Sequence, residues 1–382
     1  AELAGIPADA VETARAAAAK DGVTGWKFTL HMPSYLPVMQ YAESRRLREA
    51  LYRAYTTRAA EFHDLGSKPE WDNMPLIRRI LELRAEEAGH LGYGNFAEVS
   101  LVPKMAESPA DVLAFLRELA VKSKPFAERD MAELRDFAVS QGLTSLEPWD
   151  IGWASEKLKQ ARYSFSDEEV RQYFPEHKVL EGLFHVIETL FGVRLKPDAA
   201  PAWHEDVRFF RIEDAAGRLV GQFYLDLYAR DTKRGGAWMD DAITRRRTAA
   251  GIQTPVAYLN CNFSRPVGEK DGEKRPALFT HDEVITLFHE TGHGLHHLLT
   301  RVDELGVSGI NGVEWDAVEL PSQFMENFCW EWALVQKLTH HVDTGESLPR
   351  ALYDKMIAAK NFQSGLMTLR QIELSLFDMR LH

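Results

Sequence analysis

The 382 residues predict a mainly α-helical fold, with a small antiparallel β-sheet placed immediately before a histidine-bearing helix. Three observations carry that expectation. Apolar residues recur at helical spacing through the first half of the chain, as at Leu47, Leu51 and Tyr55 or Leu76, Ile80 and Leu83. Near residue 207 the period drops to two, the signature of half-buried strands. Thr280 followed by Glu283 then spells a capping box ahead of a new helical stripe, Val284, Phe288, Leu295 and Leu299.

Taken in order, residues 7–20 read as an Ala-rich helix, and 44–59 and 71–89 as longer amphipathic ones. Ser108 caps a further helix, Pro109 suits its first turn, and the segment runs toward Gln141-Gly142 with a bend expected near Pro125. Ser166 with Glu169 forms another capping box, and Pro175 ends that short helix. Residues 180–191 are again helical. Segment 207–213 is strand-like, 214–218 supplies a turn, and 219–228 alternates, placing Phe223, Leu225 and Leu227 on one side. That is a hairpin. Residues 256–263 alternate too, with Ala257, Leu259, Cys261 and Phe263 sharing a face, and 362–381 close the chain as a helix. The expected division is a helical region, 1–205, and a sheet with metal-binding helices, 206–382, forming one unit. No internal repeat or low-complexity linker interrupts it.

Composition narrows the function. Net charge is −12, from 45 basic and 57 acidic side chains, which opposes binding to nucleic acid or to anionic membranes. The triple Arg245–Arg247 is the single basic cluster and reads as a solvated face. Two cysteines, Cys261 and Cys329, are too few for a disulfide framework and suit a reducing compartment. No apolar run approaches the roughly 18 residues of a membrane span, and the Ala-rich start lacks the apolar core of a signal peptide. A cytoplasmic protein, monomeric by default, is therefore expected.

The chemistry concentrates in 280–299. His289, Glu290 and His293 form the pattern H-E-x-x-H. Four residues apart on a helix, the two histidines share a face and can offer two imidazole nitrogens to one ion. Glu290, one position off that line, can reach a water on the open side and act as general base. A histidine-rich surface helix would give the same letters, so a third ligand matters. Glu319 is available in the segment Trp315–Trp332, beyond a loop marked by Gly306, Gly309 and Gly312 that can turn a second helix back alongside the first. Two His and one Glu leave a corner of a tetrahedral zinc site free, as catalysis requires. Manganese and cobalt suit similar donors.

Other candidates rank lower. His296 and His297 are expected to pack or hydrogen-bond, while His281 and His340-His341 read as surface residues. Glu326, seven residues beyond Glu319, could accept the N–H of a ligand histidine or simply face solvent. Phe324, Phe328, Trp330 and Trp332 are read as core. Gly235-Gly236 beside Trp238 could line a cleft or be a plain loop, and the sheet's exposed edge could hold an extended peptide by strand addition or only cover the helix. No nucleophile motif or phosphate-binding loop competes.

His-Glu-Thr-Gly-His-Gly-Leu-His-His at 289–297 and Val-Glu-Leu-Pro-Ser-Gln-Phe-Met-Glu-Asn at 318–327 resemble the thimet oligopeptidase family of zinc metallopeptidases, most of all its bacterial oligopeptidase A branch. The likeness extends through 223–241 and into 33–41, 51–59 and 149–175. The resemblance implies a zincin-like fold, one Zn2+ per chain held by His289, His293 and Glu319, and Glu290 as base and then acid. It implies short unstructured peptides as substrates, cut internally, with a peptidyl-dipeptidase of the same family as the rival. Thr291 stands where the family often has Phe. The family's glycine- and tyrosine-rich loop with a substrate-binding His is missing before His382, so the chain reads as the central piece of a longer enzyme, with a zinc- and peptide-binding fragment as the remaining alternative.

Overall fold

The computed structural model describes residues 2–62, 67–164, 166–266, 269–270 and 273–382. Its first half is helical: α1 (Ala8–Lys20), α2 (Met32–Tyr41), α3 (Arg45–Thr56), α4 (Met74–Leu91), α5 (Phe96–Leu101), α6 (Pro109–Ser140), α7 (Pro148–Tyr163), α8 (Asp167–Arg171) and α9 (Glu176–Phe191). The expected caps at Ser108 and Ser166 form, the latter without the reciprocal Glu169 bond of a full capping box among the described contacts, and Ser44 caps α3 as well. The Oγ atoms of Ser44, Ser108 and Ser166 accept N–H bonds from Leu47, Asp111 and Glu169, satisfying donors that a helix start leaves free. Helix α6 continues through Pro125 without interruption. Helices α2 and α7 are elements that periodicity did not announce. Pro33 suits the first turn of α2, but Pro37 inside it counts against a helix on propensity alone, and burial of Tyr35, Val38 and Met39 overrides it.

Five strands form the main sheet: β1 (Arg194–Pro197), β2 (Arg208–Glu213), β3 (Leu219–Tyr228), β4 (Trp238–Ile243) and β7 (Val256–Phe263), in the order β1-β2-β3-β7-β4. Between β4 and β7, β5 (Arg246–Thr248) and β6 (Gly251–Gln253) make a separate ribbon. The expected β2–β3 hairpin is present. The sheet is mixed rather than antiparallel, because β3 and β7 run parallel. After β3 the chain travels out to lay β4 on the far edge, then returns to fill the gap with β7 in the direction of β3. Pairing also starts earlier than expected, at Arg194.

The alternating face of β7 (Ala257, Leu259, Cys261 and Phe263) is buried beneath α10 (His281–Leu298). One apolar cluster joins Leu183 and Ile187 of α9, Phe223 and Leu225 of β3, and Leu287, Phe288 and Leu295 of α10. Full burial of each such side chain contributes roughly 1.5–3 kcal/mol, so the helix bearing the histidines is anchored along its length. Both cysteines are buried free thiols. Helices α11 (Leu320–Glu326), α12 (Trp332–Leu338), α13 (Arg350–Ala359) and α14 (Ser364–Leu381) complete the chain. Among the described residues no helix is long and apolar enough to cross a membrane.

Several readings need correction. The segment 315–332 is not one helix: Pro321 opens the short α11, and a 3-10 turn at Asn327–Trp330 separates it from α12. Phe324 is exposed, although Phe328, Trp330 and Trp332 pack on the core. His281 is half-buried, tilted against Phe174 and edge-on to Trp330, with Nε2 at 2.9 Å from the Cys329 carbonyl. Of the basic triplet, Arg246 and Arg247 are exposed as expected, but the partly buried Arg245 is not, and Arg245 and Arg247 both pair with Asp303.

Candidate metal centre

Helix α10 begins where the capping box places it. Thr280 Oγ1 accepts from the Glu283 N–H, and the Glu283 carboxylate accepts from the Thr280 N–H. Two turns on, the 289 and 293 imidazoles emerge on one face, their ring centroids 4.9 Å apart and nearly perpendicular. The glycine-marked loop turns the chain back, and α11 lies against α10. Glu319 is the N-cap residue of α11 rather than a residue within it.

From that position Glu319 Oε2 lies 3.1 Å from His289 Nε2 and 3.2 Å from His293 Nε2. The three donor atoms all fall within 4.8 Å of one another. Donors 2.0–2.1 Å from a tetrahedral zinc stand about 3.3 Å apart, so the two imidazole–carboxylate separations suit that ion. The donor set, two neutral nitrogens and one carboxylate, suits it chemically as well. Glu326 Oε1 accepts from His289 Nδ1 at 2.7 Å, which turns the Nε2 lone pair toward the other donors. Glu326, offered by the sequence either as this acceptor or as a solvated group, is placed in the first role. Burial holds the His293 imidazole below its ordinary pKa, keeping its lone pair available near neutrality.

Glu290 is buried on the adjoining face. Burial pushes its carboxyl up to about 7, and the Glu319 carboxylate adds to the rise, while His289 and the Met239 backbone N–H oppose it. Met239 belongs to β4, the outermost strand of the sheet. One turn further along α10 from His293, His297 is wholly buried and donates from Nε2 to the Ile243 carbonyl at 3.0 Å. Two side chains of α10, seven residues apart, thus bind the two ends of the edge strand. His296 is not among the converging donors, and its buried Nδ1 has no partner among the described residues.

Sequence reading did not find Ser322 or β4. Ser322 is fully buried, and its Oγ lies 2.8 Å from both the backbone oxygen and Oε2 of Glu319. Its hydroxyl bonds the carbonyl and carboxylate of Glu319 rather than a free helix N–H, so no capping pattern in the sequence announces it. Trp238–Ile243 carries adjacent aspartates instead of alternation, so its strand character comes from pairing with β7.

The sequence profile of Peptidase family M3 matches residues 38–382. Oligopeptidase A of Escherichia coli is 54% identical over 385 residues, covering all of this chain and 56% of that protein. A probable cytosolic oligopeptidase A of Arabidopsis thaliana is 44% identical over 399 residues, 55% of its length. Dipeptidyl carboxypeptidase of Escherichia coli is 33% identical over 386 residues, again 55% of its length. The chain spans about half the length of the curated relatives it matches.

Proposed function

The chain belongs to peptidase family M3, and from that premise we propose that it carries the metal-binding part of a zinc-dependent endo-oligopeptidase acting on short, unstructured peptides. The observation that supports this most is the convergence of His289 Nε2, His293 Nε2 and Glu319 Oε2 beside the buried Glu290. In this reading His289, His293 and Glu319 hold one zinc ion per chain. Bound there, zinc would polarise the scissile carbonyl and acidify a water. Glu290 takes the proton of that water and returns it to the leaving amine. A carboxyl near neutrality suits both transfers, and a cation between the imidazoles would draw its pKa downward toward the base form.

The edge strand β4 gives the substrate a place. Its free edge offers backbone hydrogen bonds to an extended chain, recognition that ignores side-chain identity and so tolerates many sequences. Folded proteins would have to surrender an internal strand to use it. A monomer in the cytoplasm is the accompanying proposal, consistent with two buried free thiols.

Glu290→Gln tests the mechanism. The variant should retain one zinc per chain and lose about 10²–10⁴-fold in cleavage of a quenched fluorescent peptide. Undiminished cleavage would remove Glu290 from its role. Assays belong on a chain of the relatives' full length as well as on these 382 residues, and peptides blocked at both ends separate internal cleavage from dipeptide release.

A further inference from the structure

Glu319 is half exposed, stands outside the regular part of α11, and is 30 residues from the first histidine. Something must fix its height above α10. At Gly292, one residue before His293, a Cβ would stand 2.5 Å from the Pro321 carbonyl oxygen and 2.6 Å from Ser322 Cα. Both neighbours are backbone and cannot swing aside. The backbones of α10 and α11 therefore touch at this point, beside the histidine-bearing face of α10. Ser322, held in that contact, directs its Oγ to Glu319 Oε2.

We propose that Gly292 and Ser322 are positioning residues that set the affinity of the metal centre through Glu319: the glycine sets how closely the third ligand's segment approaches, and the serine aims its carboxylate. This rests on the three-ligand reading above. Gly294 provides the internal contrast. A Cβ there would meet only the Leu259 side-chain tip at 2.9 Å, which can turn away, and Gly294 faces the sheet rather than α11. On helix propensity alone, alanine should be welcome at both glycines. The approach of Pro321 and Ser322 makes one of them different.

The measurement is zinc affinity by competition with a chromophoric chelator, with far-UV circular dichroism and thermal melting of each metal-free protein alongside. Wild type should bind one zinc; a wild type that binds none overturns the three-ligand reading itself. Given binding, Ser322→Ala should weaken affinity about 10–100-fold, as loss of a ligand's orienting partner does. Gly292→Ala should weaken it at least as much, while Gly294→Ala stays within about two-fold of wild type. Because the effect passes through Glu319, it should vanish in a Glu319→Ala background, where Ser322→Ala and Gly292→Ala add nothing further. Ser322→Ala that is folded and binds zinc as tightly as wild type overturns the inference, whether or not Gly292→Ala folds. Losses that persist undiminished without Glu319 overturn it too.

Discussion

At the scale of single residues, the candidate centre depends on how each donor is oriented, and orientation comes from neighbours that carry no ligand atom themselves. Glu326 is the clearest case. Its 2.7 Å contact with His289 Nδ1 orients the ring so that Nε2 faces the other donors. Glu326→Gln keeps the size of the side chain but replaces a charged acceptor with a neutral amide. Zinc affinity should fall about ten-fold or more, measured by chelator competition, and an unchanged affinity would reduce Glu326 to a bystander. The donors themselves were legible in the sequence because helical geometry converts spacing into direction: 289 and 293 must share a face. Glu319 was legible only as a possibility, since nothing in its spacing says how a loop of glycines folds back. Ser322 and Gly292 were invisible as partners of the site, because their importance lies in a backbone-to-backbone distance that no local pattern encodes.

At the scale of elements, the edge strand decides what could be bound beside Glu290. β4 is held on one side by β7 and from below by α10, through Met239 and Ile243. His297 is the removable pin. It sits in a close-packed spot, where even a Cβ on Gly309 would approach its Nδ1 to 2.5 Å. His297→Ala would leave the Ile243 carbonyl without its donor, at a cost of about 1–3 kcal/mol, readable in urea denaturation. The more telling readout is hydrogen exchange. Amides of β4 should exchange faster while those of β7 stay protected, and uniform protection would show that His297 only fills space. Strand identity at β4 escaped the sequence for a related reason. An edge strand pairs on one side and needs no apolar alternation, and its Asp240-Asp241 pair looks like a turn. The β3–β7 pairing escaped because strand direction depends on the route of residues 229–255. What was legible in these elements was written by caps and burial: Thr280 with Glu283, Ser108, Ser166 and the apolar face of β7.

For the molecule as a whole, two buried aspartates set how it responds to acid. Asp150 is inaccessible, and joins α3 to α7 through Arg45 and Arg48 at 2.7 and 2.8 Å. Asp226, in the sheet, takes Arg230 at 2.6 Å, Lys233 at 2.9 Å and Trp203 Nε1 at 3.0 Å. Burial works against both charges, but the arginine and lysine partners prevail, holding Asp150 below its ordinary range and Asp226 at about 2. A carboxyl with a depressed folded pKa stabilises above its unfolded value, near 3.9, and that contribution is lost as pH falls through the folded value. The buried Glu156, the partly buried Glu168 and Glu283 and, in the metal-free protein, the buried Glu290 act oppositely. Burial raises each of them, so they favour the folded state once protonated and withdraw that support as pH rises. The two sets cross. Metal-free stability, followed by urea denaturation, should peak on the acid side of neutrality, near pH 5, and fall steeply below about pH 4. Asp226→Asn should lower stability by about 3–5 kcal/mol at neutral pH, since Arg230 and Lys233 are left buried without their counter-charge. The same variant should flatten the acid limb. An acid limb as steep as wild type's would place the acid sensitivity elsewhere, with Asp150 the next carboxylate to replace.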